Sequence, residues 1–328
     1  MILFNQNIDN IYIILGFIAL LPVIDMLSLI LNNYLNTKFI SKILTKINNE
    51  YKIFYLSSII YFILICLILY KIIKSNTLTN NKKIIYTILL FVFVYINFIY
   101  IVRLFNMILD IYTNNPPMNI DKKYFPNHIK FEDKNNFKIL QKEIYDIINN
   151  NGIKCFDEVL PIVTNLMIKK NNNCWRFKYL KRDGIMDKNL NKYPLLNKLL
   201  SDEIIFDATI SLLDPQVSIP EHRGYFKGVL RYHLCIETPD DDPLKPYIIV
   251  GGEKYTWKTG EGILFDDMFK HQVVNKSDKR RIVLFIDVIR TDIPIFLQKI
   301  NNLILHIIGN NPISQSYLNH QHKQDKLN

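Results

Sequence analysis

The segment His222–Leu234, HRGYFKGVLRYHL, sets two histidines and two arginines around two glycines, in a chain otherwise dominated by Ile, Asn and Lys. Neutral imidazoles coordinate divalent transition metals, and a guanidinium grips a carboxylate through two parallel hydrogen bonds. That density of groups points to a place where a metal and an anion meet. A further histidine, His271, follows in FDDMFKH, and a further arginine, Arg281, lies ten residues beyond it.

The faces on which these groups fall sharpen the reading. Strand alternation over Val229–Glu237 puts Val229, Arg231, His233 and Cys235 on one face and Leu230, Tyr232, Leu234 and Ile236 on the other. Over Arg281–Val288 the same rule aligns Arg281, Val283, Phe285 and Asp287. An arginine on the inward face of a strand is expensive unless it meets an anion. His222 and His271 precede these strands, where metal ligands can converge. A small dianion such as 2-oxoglutarate, chelated to Fe(II) and held at its far carboxylate by an arginine, satisfies all of these groups together. A lone histidine is more often a satisfied structural residue, so the case rests on the ordered set.

The elements that must position this set are short strands. Ile204–Leu213, Val229–Glu237, Tyr247–Val250, Ile263–Phe265 and Ile282–Ile289 are rich in β-branched or aromatic residues and bounded by Pro, Gly and Asp turns, the pattern of a sandwich or jelly roll. Residues 131–200 read as helices and connections, with apolar spacing in Ile139–Ile148 and Val159–Ile168. Phe296–Ile308 reads as an amphipathic helix, and Gln315–Asn328 as a polar tail.

Ser211 through Arg290 resembles the catalytic core of the aspartyl/asparaginyl β-hydroxylase family of Fe(II)- and 2-oxoglutarate-dependent dioxygenases. The resemblance is carried by HRGYFKGVLRYHL, GGEKYTWKTGEGILFDDMFKH and NKSDKRRIVLFIDVIR, with Trp257 in the second, and more loosely by Cys174-Trp175-Arg176-Phe177. It implies a double-stranded β-helix (jelly-roll) fold with flanking helices. It also implies His222 and His271 as iron ligands, Ser211 and Arg281 at the distal carboxylate of 2-oxoglutarate, Arg231 and His233 at the proximal carboxylate or the acceptor, and O2 as cosubstrate. Two departures stand out. Most such oxygenases carry a carboxylate two residues after the first histidine, where this chain has Gly224. Asp266 and Asp267 are candidates to hold a water there, with a turn and outer carboxylate pair as the plainer reading. Relatives acting on acidic side chains resemble one another in an arginine two positions before Arg231, where this chain has Val229. Membrane-anchored bacterial lipid A acyl hydroxylases share the LRYHL and GE-x-Y-x-W wording more closely. The acceptor is therefore left between a protein Asp/Asn side chain and a membrane-lipid acyl chain.

The rest of the chain, 328 residues and 49% hydrophobic, points to a membrane. Ile11–Leu31, interrupted by Pro22 and Asp25, Ile53–Tyr70 and Ile84–Val102 each approach the roughly 20 residues needed to cross a bilayer core. The division expected is a membrane region of about three transmembrane helices over 1–113, a linker and helical part of the catalytic domain over 114–203, a jelly-roll core over 204–292, and a C-terminal helix and tail over 293–328. Lys38, Lys42 and Lys46 recur at four-residue steps, as in a helix lying on a bilayer. The net charge of +10 fits that surface. The lysines are scattered, without aromatic-basic motifs or zinc-finger spacing, so no nucleic acid is expected. Cys66, Cys155, Cys174 and Cys235 show no CxxC pairing, which predicts neither a disulfide framework nor structural zinc and makes a reducing compartment the default. The positive-inside rule and the awkward position of the Asn275-Lys276-Ser277 sequon lean the same way, to a catalytic domain in the cytosol. The competing reading is a non-catalytic membrane scaffold or 2-oxoglutarate sensor with a degenerate iron site. Retention of the serine, both arginines and the three motif histidines weighs against it.

Overall fold

The computed structural model describes residues 50–76, 78–113, 115–151, 153–155 and 173–310. The chain divides into two compact units, Met1–Ile108 and Leu109–Asn328.

In the first unit, helices α1 (Glu50–Lys74) and α2 (Asn80–Ile96) pack side by side, and α3 (Phe98–Tyr112) follows. Tyr61, Ile68, Ile72, Leu90 and Tyr100 form their shared core, with the Tyr61 and Tyr100 rings stacked at 4.8 Å. The expected transmembrane region is not borne out: among the described residues no helix is long and apolar enough to cross a membrane. The apolar run Ile84–Val102 is divided at Asn97 between a helix of 17 residues and one of 15. At the break the Asn97 side-chain amide and backbone N–H both donate to the Phe93 carbonyl, at 2.9 and 3.1 Å. Ile53–Tyr70 falls within α1. Ile11–Leu31 and the lysine-stepped segment after it lie outside the described residues.

The second unit is a two-sheet roll with helices on one side. Its elements are α4 (His128–Glu132), α5 (Lys134–Asn151), β1 (Lys154–Cys155), β2 (Trp175–Arg182), β3 (Ile185–Met186), α6 (Pro194–Leu200), β4 (Ile205–Leu213), β5 (Ser218–His222), β6 (Val229–Glu237), β7 (Tyr247–Val250), β8 (Glu253–Thr256), β9 (Gly262–Phe265), β10 (His271–Val274), β11 (Arg281–Ile289) and α7 (Ile295–Gly309). The larger antiparallel sheet runs β1-β2-β4-β11-β6-β9, with β3 on β2, and the smaller runs β5-β10-β7-β8. The predicted strands are all present, to within a residue at their ends.

Alternation divides the larger sheet cleanly. Ala208, Ile210 and Leu212 of β4, Leu230, Tyr232, Leu234 and Ile236 of β6, and Ile282, Leu284 and Ile286 of β11 face the helices, against Leu140, Ile144 and Ile147 of α5 and Leu196 and Leu200 of α6. Leu213, Cys235, Val283 and Phe265 face the smaller sheet, meeting Ile219, Ile248, Val250 and Val273. The helices are fixed at their ends by carboxylates. Asp133 Oδ1 accepts the backbone N–H groups of Asn135 and Asn136 at the start of α5. Glu143 of α5 accepts those of Leu195 and Leu196 at the start of α6, where Pro194 needs no partner.

Three expectations are corrected here. Strand β2 occupies a stretch read as helical: in WRFKYLKR, basic residues alternate with aromatics, and Trp175 and Phe177 face the roll while the lysines' period hides the strand. Ser218–His222 and His271–Val274, absent from the expected strands, pair with each other as β5 and β10, which puts both histidines at strand ends. Cys155 and Cys174 form a disulfide, with 5.8 Å between their Cα atoms. Disulfides persist in oxidising compartments, so the cysteines no longer argue for a reducing one. The sequon argument falls with it. Asn275 is 1% exposed, and its amide is spent on the carbonyls of Asp214 and Lys279, so no glycan could be attached whichever side the domain faces. The segment Val159–Ile168 and the tail Gln315–Asn328 lie outside the described residues.

Denatured, unreduced protein is expected to alkylate at Cys66 and Cys235 alone, with Cys155 and Cys174 labelled only after reductant. Peptide mass spectrometry reads this directly. Cys174→Ser should lower stability by about 3 kcal/mol, the figure for closing a loop of this order, seen as a lower urea midpoint.

Candidate active site

The geometry begins with two facing imidazoles. His222 closes β5 and His271 opens β10, and the antiparallel register sets them directly opposite one another, ring centroids 4.1 Å apart. The Nδ1 atom of His222 lies 2.9 Å from the Pro220 carbonyl, and that of His271 lies 2.9 Å from the Phe269 carbonyl. A carbonyl can only accept, so each Nδ1 carries the proton and each Nε2 keeps a free lone pair, the tautomer that binds metal. Burial lowers the pKa of both rings, His271 to about 3, which keeps them neutral. Among the described residues no group of three or more His, Cys, Asp or Glu side chains could hold a metal ion. The protein offers a pair of nitrogens, as Gly224 implied.

The place of the missing carboxylate is not empty. A Cβ added at Gly224 would collide with the carboxylate of Asp267, and the Gly224 N–H donates to the Asp267 carbonyl at 2.7 Å. Asp267 is 3% exposed, ion-paired to Arg231 at 3.0 Å, and its Oδ1 has no hydrogen-bond partner. Glycine is needed here so that this carboxylate can approach. Asp266 plays a different part: Arg290 and Lys227 hold it at 2.6 and 3.1 Å. Burial would raise its pKa, and these two cations more than reverse that. Asp266 thereby pins the turn that presents Asp267 and His271.

The opposite wall supplies the anion-binding end. On β11, Arg281 is 1% exposed, no carboxylate among the described residues pairs with it, and its Nε and Nη1 have no hydrogen-bond partner there. Burial lowers its pKa to about 10. It lies over the Trp257 ring at 4.6 Å. The Trp257 Nε1 and His233 Nδ1 atoms are likewise buried and unpartnered. Ser211, across from Val283 in register, accepts a hydrogen bond from the Trp175 indole at 2.8 Å, which leaves its own proton free to be donated. His233 sits between Trp257 and Phe265, at 6.1 and 4.9 Å between centroids. Buried donors without acceptors are rare in folded proteins, and each calls for an explanation. A bound carboxylate would satisfy them together.

Arg231 departs from expectation. Its guanidinium forms a bidentate pair with Asp287 at 2.8 and 2.9 Å as well as the pair with Asp267, so it is committed to the protein's own carboxylates. Asp287 shares an inward face with Arg281, and the strands' register puts it level with Arg231, so alternation already contained this pairing. The role of Trp175 had no signal beyond its CWRF context.

A family model described as aspartyl/asparaginyl β-hydroxylase matches residues 134–291, which take in the helical layer and every strand named above from β1 to β11. Residues 134–291 are thus similar to that family. Among curated proteins, the ornithine lipid ester-linked acyl 2-hydroxylase of Rhizobium tropici is 37% identical over 83 residues, covering 25% of this chain and 29% of that protein. The human aspartate beta-hydroxylase domain-containing protein 2 is 32% identical over 124 residues, covering 34% of this chain and 32% of its own. The chain thus spans about a third of the length of these curated relatives. Among solved structures, a cupin domain of an XRE family transcriptional regulator from Enterobacter cloacae is similar at a TM-score of 0.25 and 16% identity, covering 35% of this chain and 95% of its own.

The fit of Asp267 against Gly224 yields a test. Gly224→Ala is expected to displace the Asp267 carboxylate and weaken Fe(II) or Co(II) binding by roughly 10–100-fold, the usual effect of disturbing a group beside a metal site. Gly224→Asp alone should do no better, whereas Gly224→Asp with Asp267→Gly should recover affinity. Calorimetric titration of the metal distinguishes them.

Proposed function

We propose that this chain is an Fe(II)- and 2-oxoglutarate-dependent hydroxylase acting on the acyl chain of a membrane lipid. The observation that carries the cosubstrate is Arg281, a buried guanidinium with no counter-ion among the described residues. It fits the far carboxylate of 2-oxoglutarate, with Ser211 donating its hydroxyl proton to the same group. The His222 and His271 Nε2 atoms would hold the iron, their orientation fixed by the carbonyls behind them. When bound, iron and 2-oxoglutarate supply the oxygen chemistry, in which one oxygen enters a C–H bond and succinate and carbon dioxide leave. The chain's own contribution is orientation and exclusion of water. Trp257 and Phe265, 1% and 0% exposed, wall the interior, and Trp175 fixes the Ser211 hydroxyl.

The acceptor reading rests on charge. Val229 is buried and apolar where an acid-accepting site would carry an arginine, and Arg231 is spent on Asp267 and Asp287. An acidic side chain entering here would lie unpaired in a buried site, which is costly. An acyl chain would not. The first unit supports a membrane setting: Phe62 and Ile63 of α1 and Ile85, Ile88, Leu89 and Phe91 of α2 are all more than half exposed. So large an apolar face suits lipid contact better than water. The disulfide favours an oxidising compartment for the hydroxylase domain over the cytosol. A protein asparagine side chain is the second reading, since it would bring no charge to bury in this site. A scaffold or sensor without turnover is disfavoured by the metal-competent tautomers of both histidines.

Full-length protein in lipid vesicles, given Fe(II), 2-oxoglutarate and dioxygen, is expected to release succinate in step with lipid carrying one added oxygen. Arg281→Ala removes the charged partner of a buried carboxylate at about 2–5 kcal/mol, so the 2-oxoglutarate requirement should rise roughly 30-fold or more. An unchanged requirement would remove the reading's main support. Val229→Arg should depress lipid turnover and improve that of an acidic peptide, read by product mass.

A further inference from the structure

Helix α7 turns toward solvent a stripe that neither the roll nor the proposed chemistry uses. Phe296, Ile300, Leu303 and Ile307 recur at intervals of four, three and four residues, the spacing that keeps side chains on one helical face. Phe296, Ile300 and Leu303 are 55%, 43% and 59% exposed. Another face of the same helix is spent on the roll, where Leu297, Ile304 and Leu305 are buried. The last turn of α3 extends the stripe at its start: the Tyr112 ring meets Phe296 edge-on at 6.0 Å, and Ile111 is 75% exposed. The carboxylate in that turn, Asp110, is paired with Lys227 at 3.0 Å. Helix α7 itself contains no acid, and Lys299 and His306 are exposed along one border of the stripe.

Size and charge decide what can cover it. A helix of 15 residues is about 22 Å long and about 10 Å wide, a footprint of roughly 220 Å². A stable dimer buries roughly 800 Å² on each partner, so a second copy has too little to hold here. The chain that follows α7, Gln315–Asn328, is a polar tail with few apolar side chains to lay on the stripe. A bilayer surface demands neither breadth nor a complementary shape. It takes a narrow apolar stripe with a basic border and no acid to repel its phosphates.

The stripe is also tied to the site. On the buried side of α7, Asn301 donates its amide to the Gly228 carbonyl at 2.8 Å, and the Arg290 N–H donates to the same oxygen at 3.0 Å. Gly228 lies in the loop between His222 and β6. A Cβ there would collide with Asn301 and Phe226, so glycine is what lets helix and loop lie this close.

Resting on the membrane setting of the reading above, we propose that the exposed stripe of α7, with Ile111 and Tyr112, docks the second unit on a lipid bilayer. The loop after His222 is then held at the membrane surface, where acyl chains are within reach. This contact is additional to any that the first unit makes.

The test uses full-length protein in a Cys66→Ser background, the other free cysteine, Cys235, being buried. An environment-sensitive fluorophore is placed on Leu303→Cys or, as a control, on Asn302→Cys, which is exposed but off the stripe. The vesicles are phosphatidylcholine with about one fifth phosphatidylglycerol and carry a nitroxide on the acyl chain, which quenches labels that enter the bilayer. The Leu303 label is expected to shift to the blue and to lose about threefold or more of its emission, while the Asn302 label changes little. Ile300→Asp, at an exposed position, should abolish the quenching at Leu303. Protein that floats with the vesicles while both labels behave alike overturns the docking and leaves the membrane setting standing. Protein that does not float overturns both. A Leu303 label already shielded from iodide before vesicles are added shows the stripe covered by this chain or, where shielding grows with concentration, by a second copy, and either result overturns the docking.

Discussion

A guanidinium sealed between two β-sheets without a carboxylate beside it is costly to fold, by several kcal/mol for an uncompensated buried charge. Arg281 is in that position, 1% exposed and over the indole of Trp257. Much of the surrounding structure makes sense as the means of keeping it there. Val283, Cys235 and Leu213 pack around it from the same sheet, and Ile248, Val250 and Val273 close it from the other. The layer of helices on the far side contributes a second core that owes nothing to the site and so can offset the cost. A fold that sustains such a charge, without a carboxylate partner among the described residues, suits the anion proposed above.

The same sheet solves the opposite problem a few residues away. At one end of the inward face of β11 an arginine lacks a carboxylate. At the other end, Asp287, together with Asp207 and Asp267, outnumbers the arginines it meets. The burial that lowers Arg281 raises Asp207 to about 7, since in each case it disfavours the charged form. The interior is thus polarised along the strands, with donors lacking acceptors at the Arg281 end and carboxylates bound to Arg182 and Arg231 at the Asp207 end. Between them stand the aromatic rings around His233.

What the sequence disclosed followed period. Alternation assigned Arg231, His233, Arg281 and Asp287 to one interior because both strands are long and their outward residues are unbroken apolar sets. β5 and β10, five and four residues long, escaped because the sequence around them is proline, charge and turn. Their existence depends on pairing with each other, which is a non-local fact. The Cys155–Cys174 bond escaped for a similar reason, since it joins the start of β2 to β1 across a separation of 19 residues that carries no motif. The apolar run divided at Asn97 misled in the other direction: hydropathy counts composition, whereas the backbone there divides into helices of 17 and 15 residues.

Gly224 was the feature most open to being read as decay, and the packing gives it another meaning. Loss of a ligand leaves slack: a side chain disappears, and water or a relaxed loop fills the space. Here the space is filled by the Asp267 carboxylate, close enough that even a methyl group at position 224 would collide with it, and the Gly224 amide is bonded to the Asp267 carbonyl. Asp267 is itself anchored by Arg231, and its turn is pinned by Asp266 between Arg290 and Lys227. Residues from three separate stretches of sequence are therefore arranged so that a carboxylate remains beside the histidine pair, delivered from the segment before His271 rather than from the one after His222. Such a carboxylate is held by the Arg231 guanidinium, while burial pushes its pKa up to about 7, and its close approach requires glycine at position 224.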